Sequence, residues 1–431
     1  MHITIYRGAK EIGGTLIELR TNATRILIDA GYPLFLNNAP IDGDIAKLPY
    51  TELLALGVLP KVDGLYAWDE AGFDAVVISH AHIDHYGLLK YVNSAIPVHM
   101  SAGTERLIQI SRLFRICEGY DSEVRRFRMY RSFRIGDIKL KPYLMDHSAF
   151  DAAALEISAE GKTVTYSGDF RGHGRKLVCL DRFITAAQKQ PDVLLIEGSM
   201  LERSDEQTLT EAKLEDAVVE RMKGLNSPLL FQSSSQNIDR LVSFYRAALR
   251  LKRIFVVDIY TANVLYELRQ LKNNLPYPSP EYPNIKVFFP YRLTRRVFDD
   301  IGEEYARRFS EYYISRERLE EAQNHIIMTC RPSMRIDLEK CGMRDGVFLY
   351  SLWRGYRDNA YQQAFETSLE KAGFSLEALH TSGHATVHDI RRVINGLAPQ
   401  QLIPIHTMHP DSFRGFSDKT DLKADGVAFE V

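Results

Sequence analysis

The sequence predicts a layered α/β protein with a second α/β unit inserted into it, and three observations carry that expectation. Over residues 1 to about 170, short apolar strands alternate with helices. From about 200 to 375 the character changes to amphipathic helices, expected at 210–222, 238–251 and 303–322, around strands such as 253–257. The last segment returns to strand and loop, with a strand ending at His406 and a closing strand over 426–431. A chain of 431 residues is too long for one ordinary core, and 45% hydrophobic residues suffice to bury two. The expected division is 1–199, then 200–375 as the insertion, then 376–431 rejoining the first unit.

The elements follow in order. Met1 to Tyr6 alternates as a short strand, and Gly8, Gly13 and Gly14 make a hairpin loop rather than a dinucleotide fingerprint, because no βαβ unit follows. Strands at 15–19 and 25–28 come next, then a loop-rich stretch from Gly31 to Gly72 with a short helix over 50–56, placed to wall or cover a site. The run Phe73 to Ile78 reads as a buried strand, and 101–116 as a helix.

Directly after that buried strand stands Ser79-His80-Ala81-His82-Ile83-Asp84-His85, three imidazoles and a carboxylate within six residues. Imidazole nitrogen and carboxylate oxygen are the ligands Zn²⁺ prefers, and Mn²⁺ also tolerates the mixture. Strand alternation sends His80 and His82 to one side, whereas Asp84 begins a helix, so Asp84 and His85 diverge toward a second position. Further candidates sit at strand ends, where an α/β scaffold holds side chains rigidly: Asp29, His147, Asp169 and His406. Two ions sharing one carboxylate can activate water and contact a phosphate oxygen together.

Bulk properties narrow the class. A formal charge of −2 leaves any nucleic-acid contact to a local groove rather than a globally basic surface. Cys117, Cys179, Cys330 and Cys341 are dispersed, which fits free thiols in a reducing compartment and excludes a zinc ribbon. Without a signal-peptide layout or an apolar run of membrane length, a cytoplasmic protein is expected.

These residues resemble the metallo-β-lactamase fold, and within it the β-CASP nucleases such as ribonuclease J and the mRNA 3′-end-processing endonucleases. The resemblance rests on Leu27-Ile28-Asp29-Ala30-Gly31, the run from Ser79 to Gly87, Asp146-His147-Ser148 and Ser167-Gly168-Asp169. It rests equally on Ile196-Glu197-Gly198-Ser199, on His380-Thr381-Ser382-Gly383-His384-Ala385, and on Ile403-Pro404-Ile405-His406-Thr407. It implies a four-layer αββα sandwich with an inserted β-CASP α/β domain. It further implies two divalent metal ions, Zn²⁺ or Mn²⁺: His80, His82 and His147 would hold one, Asp84, His85 and His406 the other, and Asp169 would bridge them. Asp29 would orient the ligands. His384, supported by Glu197, would give a proton to the leaving group, with Asp84 also in the catalytic set. His380, Ser382 and the Gly383 backbone would bind a substrate phosphate, and Ser235 would line that pocket.

The implied activity is hydrolysis of single-stranded RNA by a two-metal-activated hydroxide, as a 5′-to-3′ exonuclease, an endonuclease or both. RNA is favoured over DNA because RNA-acting members resemble this chain in having His at the position of His406. The rivals are a DNA nuclease, a small-molecule hydrolase and a non-catalytic RNA-binding paralogue. Ribonuclease J carries a further domain beyond the point where this chain ends, so the expected homodimer is left open.

Three other features have a bland reading beside the functional one. Arg125, Arg126, Arg128, Arg131 and Arg134, interleaved with Phe127, Tyr130 and Phe133, have the composition of an RNA-contacting strip, but a hairpin with one solvated face is expected. Trp353 and Tyr356 are expected to pack in the core. Ser235, in Ser233-Ser234-Ser235-Gln236-Asn237, could equally belong to a helix N-cap cluster.

Overall fold

The computed structural model describes residues 1–36, 39–41, 45–201, 208–271 and 273–431. Parts of the loop-rich stretch 31–72 (37–38 and 42–44) and residues 202–207, near the start of the expected insertion, lie outside the described residues.

Two sheets face each other. The first has seven strands, in the order Ala428–Glu430, His2–Arg7, Leu16–Arg20, Arg25–Ile28, Ala75–Val77, Val98–Ser101, Val124–Phe127. The second has six, Gln401–Ile405, Val193–Glu197, Lys162–Tyr166, Ala153–Ala159, Ile138–Leu144, Phe133–Ile135. Strand alternation decides what lies between them. Ile26, Ile28, Ala75 and Val77 point inward to meet Leu155, Ile157, Val164 and Leu195, while Leu27 and Val76 point outward beneath Leu107 and Ile108 of the helix Ala102–Leu113. On the far side, Leu180 and Phe183 of Val178–Ala186 and Ile390, Val393 and Ile394 of Val387–Leu397 cover Tyr143, Leu194 and Leu402. The result is an αββα sandwich.

A third sheet of six parallel strands is drawn entirely from residues between 229 and 378, in the order Ile285–Phe288, Ile254–Asp258, Ile326–Thr329, Leu229–Gln232, Val347–Tyr350, Ser375–Ala378. Both faces are covered, so its central strands are apolar up to their last residues, Gln232, Asp258 and Thr329, as a parallel sheet requires. The core on one face continues without a break into the helix Ala102–Leu113, which packs on Ile259–Arg269. Helix starts follow the expected chemistry: Thr210, Asn237, Asp258 and Thr386 each accept a backbone N–H at an N-terminus, contributing about 1 kcal/mol apiece.

Three expectations fail. The helix over 303–322 is broken into Glu304–Arg307, a 3₁₀ turn Ser310–Tyr312 and Arg316–Glu321. Ile314 N–H donates to Val287 O (3.0 Å), pulling the backbone alongside the edge strand, and Ser315 restarts the helix as its cap. The arginine strip is not one hairpin: Val124–Phe127 pairs in the first sheet and Phe133–Ile135 in the second, and Arg125 and Arg126 are engaged by Glu123 and Glu105. Tyr356 does not enter the core but stands 54% exposed on a 3₁₀ turn, because the strand that would have buried it ends at Tyr350.

Candidate metal centre

The centre is built from strand ends. The strands Arg25–Ile28 and Ala75–Val77 run parallel and deliver Asp29 and Ser79 side by side. Asp29 accepts from Ser79 N (2.7 Å), Ser79 Oγ (2.8 Å) and Tyr166 Oη (2.6 Å). It holds φ at +57°, and His406 at the end of another strand holds +49°, a conformation that non-glycine residues adopt where surrounding contacts over-determine them. Gly31 is dictated by crowding: a Cβ there would lie 1.8 Å from the Asp84 carbonyl oxygen, which accepts from Thr15 N at 3.1 Å.

That hydrogen-bond network sets which imidazole nitrogens face the centre. Ser79 spends its proton on Asp29, so its oxygen accepts from His80 Nδ1 (3.0 Å) and His80 Nε2 carries a lone pair. His85 Nδ1 donates to Asp29 Oδ2 (2.8 Å), and His147 Nδ1 donates to the Gly383 carbonyl (2.5 Å), which leaves both Nε2 atoms facing inward. His406 differs: its Nδ1 accepts from Gly13 N (3.3 Å) and lies 3.0 Å from Thr15 Oγ1, and its Nε2 faces the same centre.

Two clusters result. His82 Nδ1 lies 3.2 Å from His80 Nε2 and 3.0 Å from His147 Nε2, close to the spacing of about 3.3 Å that nitrogens adopt around one tetrahedral zinc ion. Asp84, His85 and His406 form the second, with Asp84 Oδ2 at 3.9 Å from His85 Nε2 and 3.7 Å from His406 Nε2. Asp169 Oδ2 stands between them, 3.6 Å from His80, 3.1 Å from His85, 3.9 Å from His147 and 3.7 Å from His406. His85 Nε2, His406 Nε2 and Asp169 Oδ2 are buried without a hydrogen-bond partner among the described residues. Buried polar atoms are normally satisfied. Imidazole nitrogens turned inward around a lone carboxylate oxygen form a donor set that fits divalent cations, and all seven residues sequence reasoning chose are brought together here.

Charge is unevenly distributed in the metal-free chain. Burial keeps His80, His82, His147 and His406 below the ordinary imidazole value, His82 at about 4, so they are neutral and ready to ligate. Burial also opposes charge on His85, but Asp169, Asp84 and Asp29 outweigh it and raise its pKa well above the ordinary value. His384 behaves alike. Its burial is outweighed by Glu197 and Asp169, which lift it to about 9. Its Nδ1 lies 3.1 Å from Glu197 Oε2 and 3.6 Å from Asp169 Oδ2. Glu197 is held by Phe170 N (3.0 Å) and Ser199 Oγ (2.8 Å), so it faces His384 and, among the described residues, caps no helix.

The turn 380–384 crosses onto the centre from the third sheet. A Cβ at Gly383 would lie 2.5 Å from Ser148 Oγ and 3.0 Å from Ser148 Cβ, so glycine lets the turn approach without displacing Ser148 while its carbonyl reaches His147. Ser382 Oγ accepts from His384 N (3.1 Å), leaving its own proton free to donate. His380 is held near 3 by burial and the Arg240 guanidinium, and so is a neutral group. Ser235 is buried, and its hydroxyl meets Thr261 Oγ1 (2.7 Å) and Arg331 Nη2 (2.9 Å), while Asn237 caps the following helix.

Sequence reasoning missed two residues that hold this turn. Arg171 has no exposed surface and donates to Asp146 (3.2 Å), Asp239 (2.7 Å) and the Ser382 carbonyl (3.0 Å). Arg240, equally buried, donates to Glu211 (3.1 Å) and the Thr381 carbonyl (2.9 Å). Among their carboxylate partners Asp239 is held down at about 2, burial being outweighed by Lys176 and Arg171, whereas Asp146 is raised by burial. The only hint in the sequence was Arg171's place two residues after Asp169.

Residues 24–223 match the β-lactamase superfamily domain. An RNase J-like protein of Methanocaldococcus jannaschii is 25% identical over 277 residues, covering 60% of this chain and 58% of that one. A ribonuclease J of Mycoplasma genitalium is 20% identical over 445 residues, covering 94% of this chain and 67% of that one. The chain is thus similar over residues 24–223 to the β-lactamase superfamily domain and, more widely, to ribonuclease J proteins. It spans about three fifths to two thirds of the length of those relatives. A solved protein of unknown function from Enterococcus faecalis superposes with a TM-score of 0.79 over 99% of both chains at 20% identity, which shows that the fold is shared. Among the described residues no helix is long and apolar enough to cross a membrane.

Proposed function

We propose that this ribonuclease J-like protein is a metal-dependent nuclease that hydrolyses phosphodiester bonds of single-stranded RNA, from a 5′ end, internally or both. The observation that carries the reading is the convergence of His80, His85, His147 and His406 on the single buried oxygen Asp169 Oδ2. His80, His82 and His147 would hold one divalent ion, Asp84, His85 and His406 the other, with Asp169 between. Bound there, the ions would supply Lewis acidity and a nucleophilic water at neutral pH.

The chain's own residues do the rest. Asp29 and Ser79 keep the imidazoles turned inward, and Gly383 does so for His147. His384, charged at neutral pH through Glu197 and Asp169, gives the proton to the departing sugar oxygen. The Ser382 hydroxyl donates to a phosphate oxygen beside it. His380, neutral in this position, serves that phosphate by hydrogen bonding and not by charge.

The test is time-resolved cleavage of end-labelled RNA and DNA, each with 5′-hydroxyl, monophosphate or triphosphate ends, under Zn²⁺ and Mn²⁺. Mononucleotides released from monophosphorylated RNA alone would fix both substrate and direction. Intact RNA beside cleaved DNA, or beside a hydrolysed small ester, would overturn the reading. His384→Ala should lower kcat about 10²-fold or more with metal content retained.

A further inference from the structure

The long parallel sheet ends its edge strand, Ile285–Phe288, in the run Phe288-Phe289-Pro290-Tyr291-Arg292-Leu293-Thr294-Arg295-Arg296-Val297-Phe298. Here the chain leaves open a cleft of about 500 Å³, within the roughly 300–1,000 Å³ range of ligand pockets. Phe289 and Tyr313 meet in it with ring centroids 5.1 Å apart. Tyr291, Phe298 and Tyr313 are 60%, 48% and 48% exposed, a cost that a water-facing surface does not ordinarily carry in one place. Arg295, paired with Asp299 at 3.2 Å, and Arg316, paired with Asp337 at 3.1 Å, line the same cleft with Glu317, and the Thr294 hydroxyl is buried in its wall with no partner among the described residues. Beside it, Arg292 and Arg296 make no ion pair among the described residues.

We propose that this cleft stacks bases of the single-stranded RNA substrate at a distance from the metal centre, an inference that rests on the nuclease reading above. Aromatic faces accept any base, and the guanidinium groups follow the phosphates, which is the chemistry of sequence-tolerant single-strand binding. Position agrees with this. In an open parallel sheet, ligands lie beyond the carboxyl ends of the strands. At that edge the segment after Leu229–Gln232 reaches the metal loop, where Asn237 forms a bridge with Ala149, two residues from His147. Ile285–Phe288 is three strands away, roughly 14 Å at strand spacing, on the same edge. Between them, at the end of Ile326–Thr329, Arg331, paired with Asp258, lies over the Tyr260 ring at 5.7 Å. Arg115 pairs with Asp300 at 3.2 Å and sets the cleft on the rim where the sandwich meets the parallel sheet. A strand leaving the metals along this edge meets cation and ring in turn.

The contrast with residues 125–134 sharpens the choice. That strip has the same composition, but it is split between two sheets rather than gathered around one cleft.

The experiment uses the full chain and the double variant Phe298→Ala/Tyr313→Ala, with Tyr313→Trp as the conservative control. Fluorescence anisotropy, in chelator so that strands stay intact, measures binding of labelled single-stranded RNA of about 20 and about 4 nucleotides. The double variant is expected to bind the long strand at least about fivefold more weakly, with a smaller change for the short one, while Tyr313→Trp retains wild-type affinity. With metal restored, kcat/KM for the long strand should fall by more than for the short one. If the double variant binds the long strand as the wild type does, the cleft is no part of the RNA path, although the nuclease reading stands. If the wild type binds neither strand and cleaves neither, both fall together.

Discussion

His80 and His147 follow strand ends of the sandwich and His85 sits on the short helix Ile83–Tyr86 just beyond one, and each ring is oriented by one short hydrogen bond, to Ser79, Gly383 or Asp29 respectively. The turn 380–384 is held differently, by two fully buried guanidinium groups, Arg171 and Arg240, that grip the Ser382 and Thr381 carbonyls while shared among Asp146, Glu211 and Asp239. In the first region rigidity comes from the sheets, and the polar contacts only choose a tautomer. In the second, a loop with no sheet of its own owes its position to ion pairs in a low-dielectric interior. The first should therefore tolerate loss of one orienting contact; the second should not tolerate loss of one charge.

The largest effect should follow removal of the shared carboxylate. Asp169→Asn is expected to lower RNA cleavage by about 10³-fold or more, several kcal/mol of lost charge stabilisation, measured as kcat/KM at saturating metal. Arg171→Met should cost about 3–5 kcal/mol of stability, read by urea denaturation of the metal-free protein, because it leaves buried carboxylates uncompensated. Asp29→Asn, which keeps shape and weakens orientation of His85, should reduce metal affinity by only about 10–100-fold by calorimetry. An Asp29 effect on stability equal to that of Arg171 would erase the distinction between the regions.

The smallest effect is on pH. His82 is held at about 4 against an ordinary 6.5, so the folded chain binds fewer protons than the unfolded one between those values, and stability falls as pH drops through that window. His384 is raised to about 9, so its contribution is complete below 6.5 and is lost as pH rises toward 9. The metal-free protein should therefore melt highest near pH 6.5. His384→Gln should flatten only the alkaline side.

The same contrast explains what the sequence disclosed. The ligands were legible because a strand end fixes direction, and six residues holding three His and an Asp have few other uses. Glu197 and His384 were legible through the family resemblance, and they lie 3.1 Å apart. Arg171 and Arg240 were not, since nothing local distinguishes a buried arginine from the many on the surface; its burial is decided by carboxylates up to 68 residues away. The helix over 303–322 had the right periodicity, but a backbone bond from Ile314 to the edge strand offered more than continued helix. Tyr356 failed as a core residue for a related reason. An aromatic pattern cannot tell a ring that packs from one displayed at the end of a parallel strand.

The metal content of the purified, zinc-loaded chain, measured by mass spectrometry beside His82→Ala, tests the account most directly. Two ions per wild-type chain, with at least one lost from the variant, is the predicted result. A chain that cleaves RNA with one ion or none bound would contradict it.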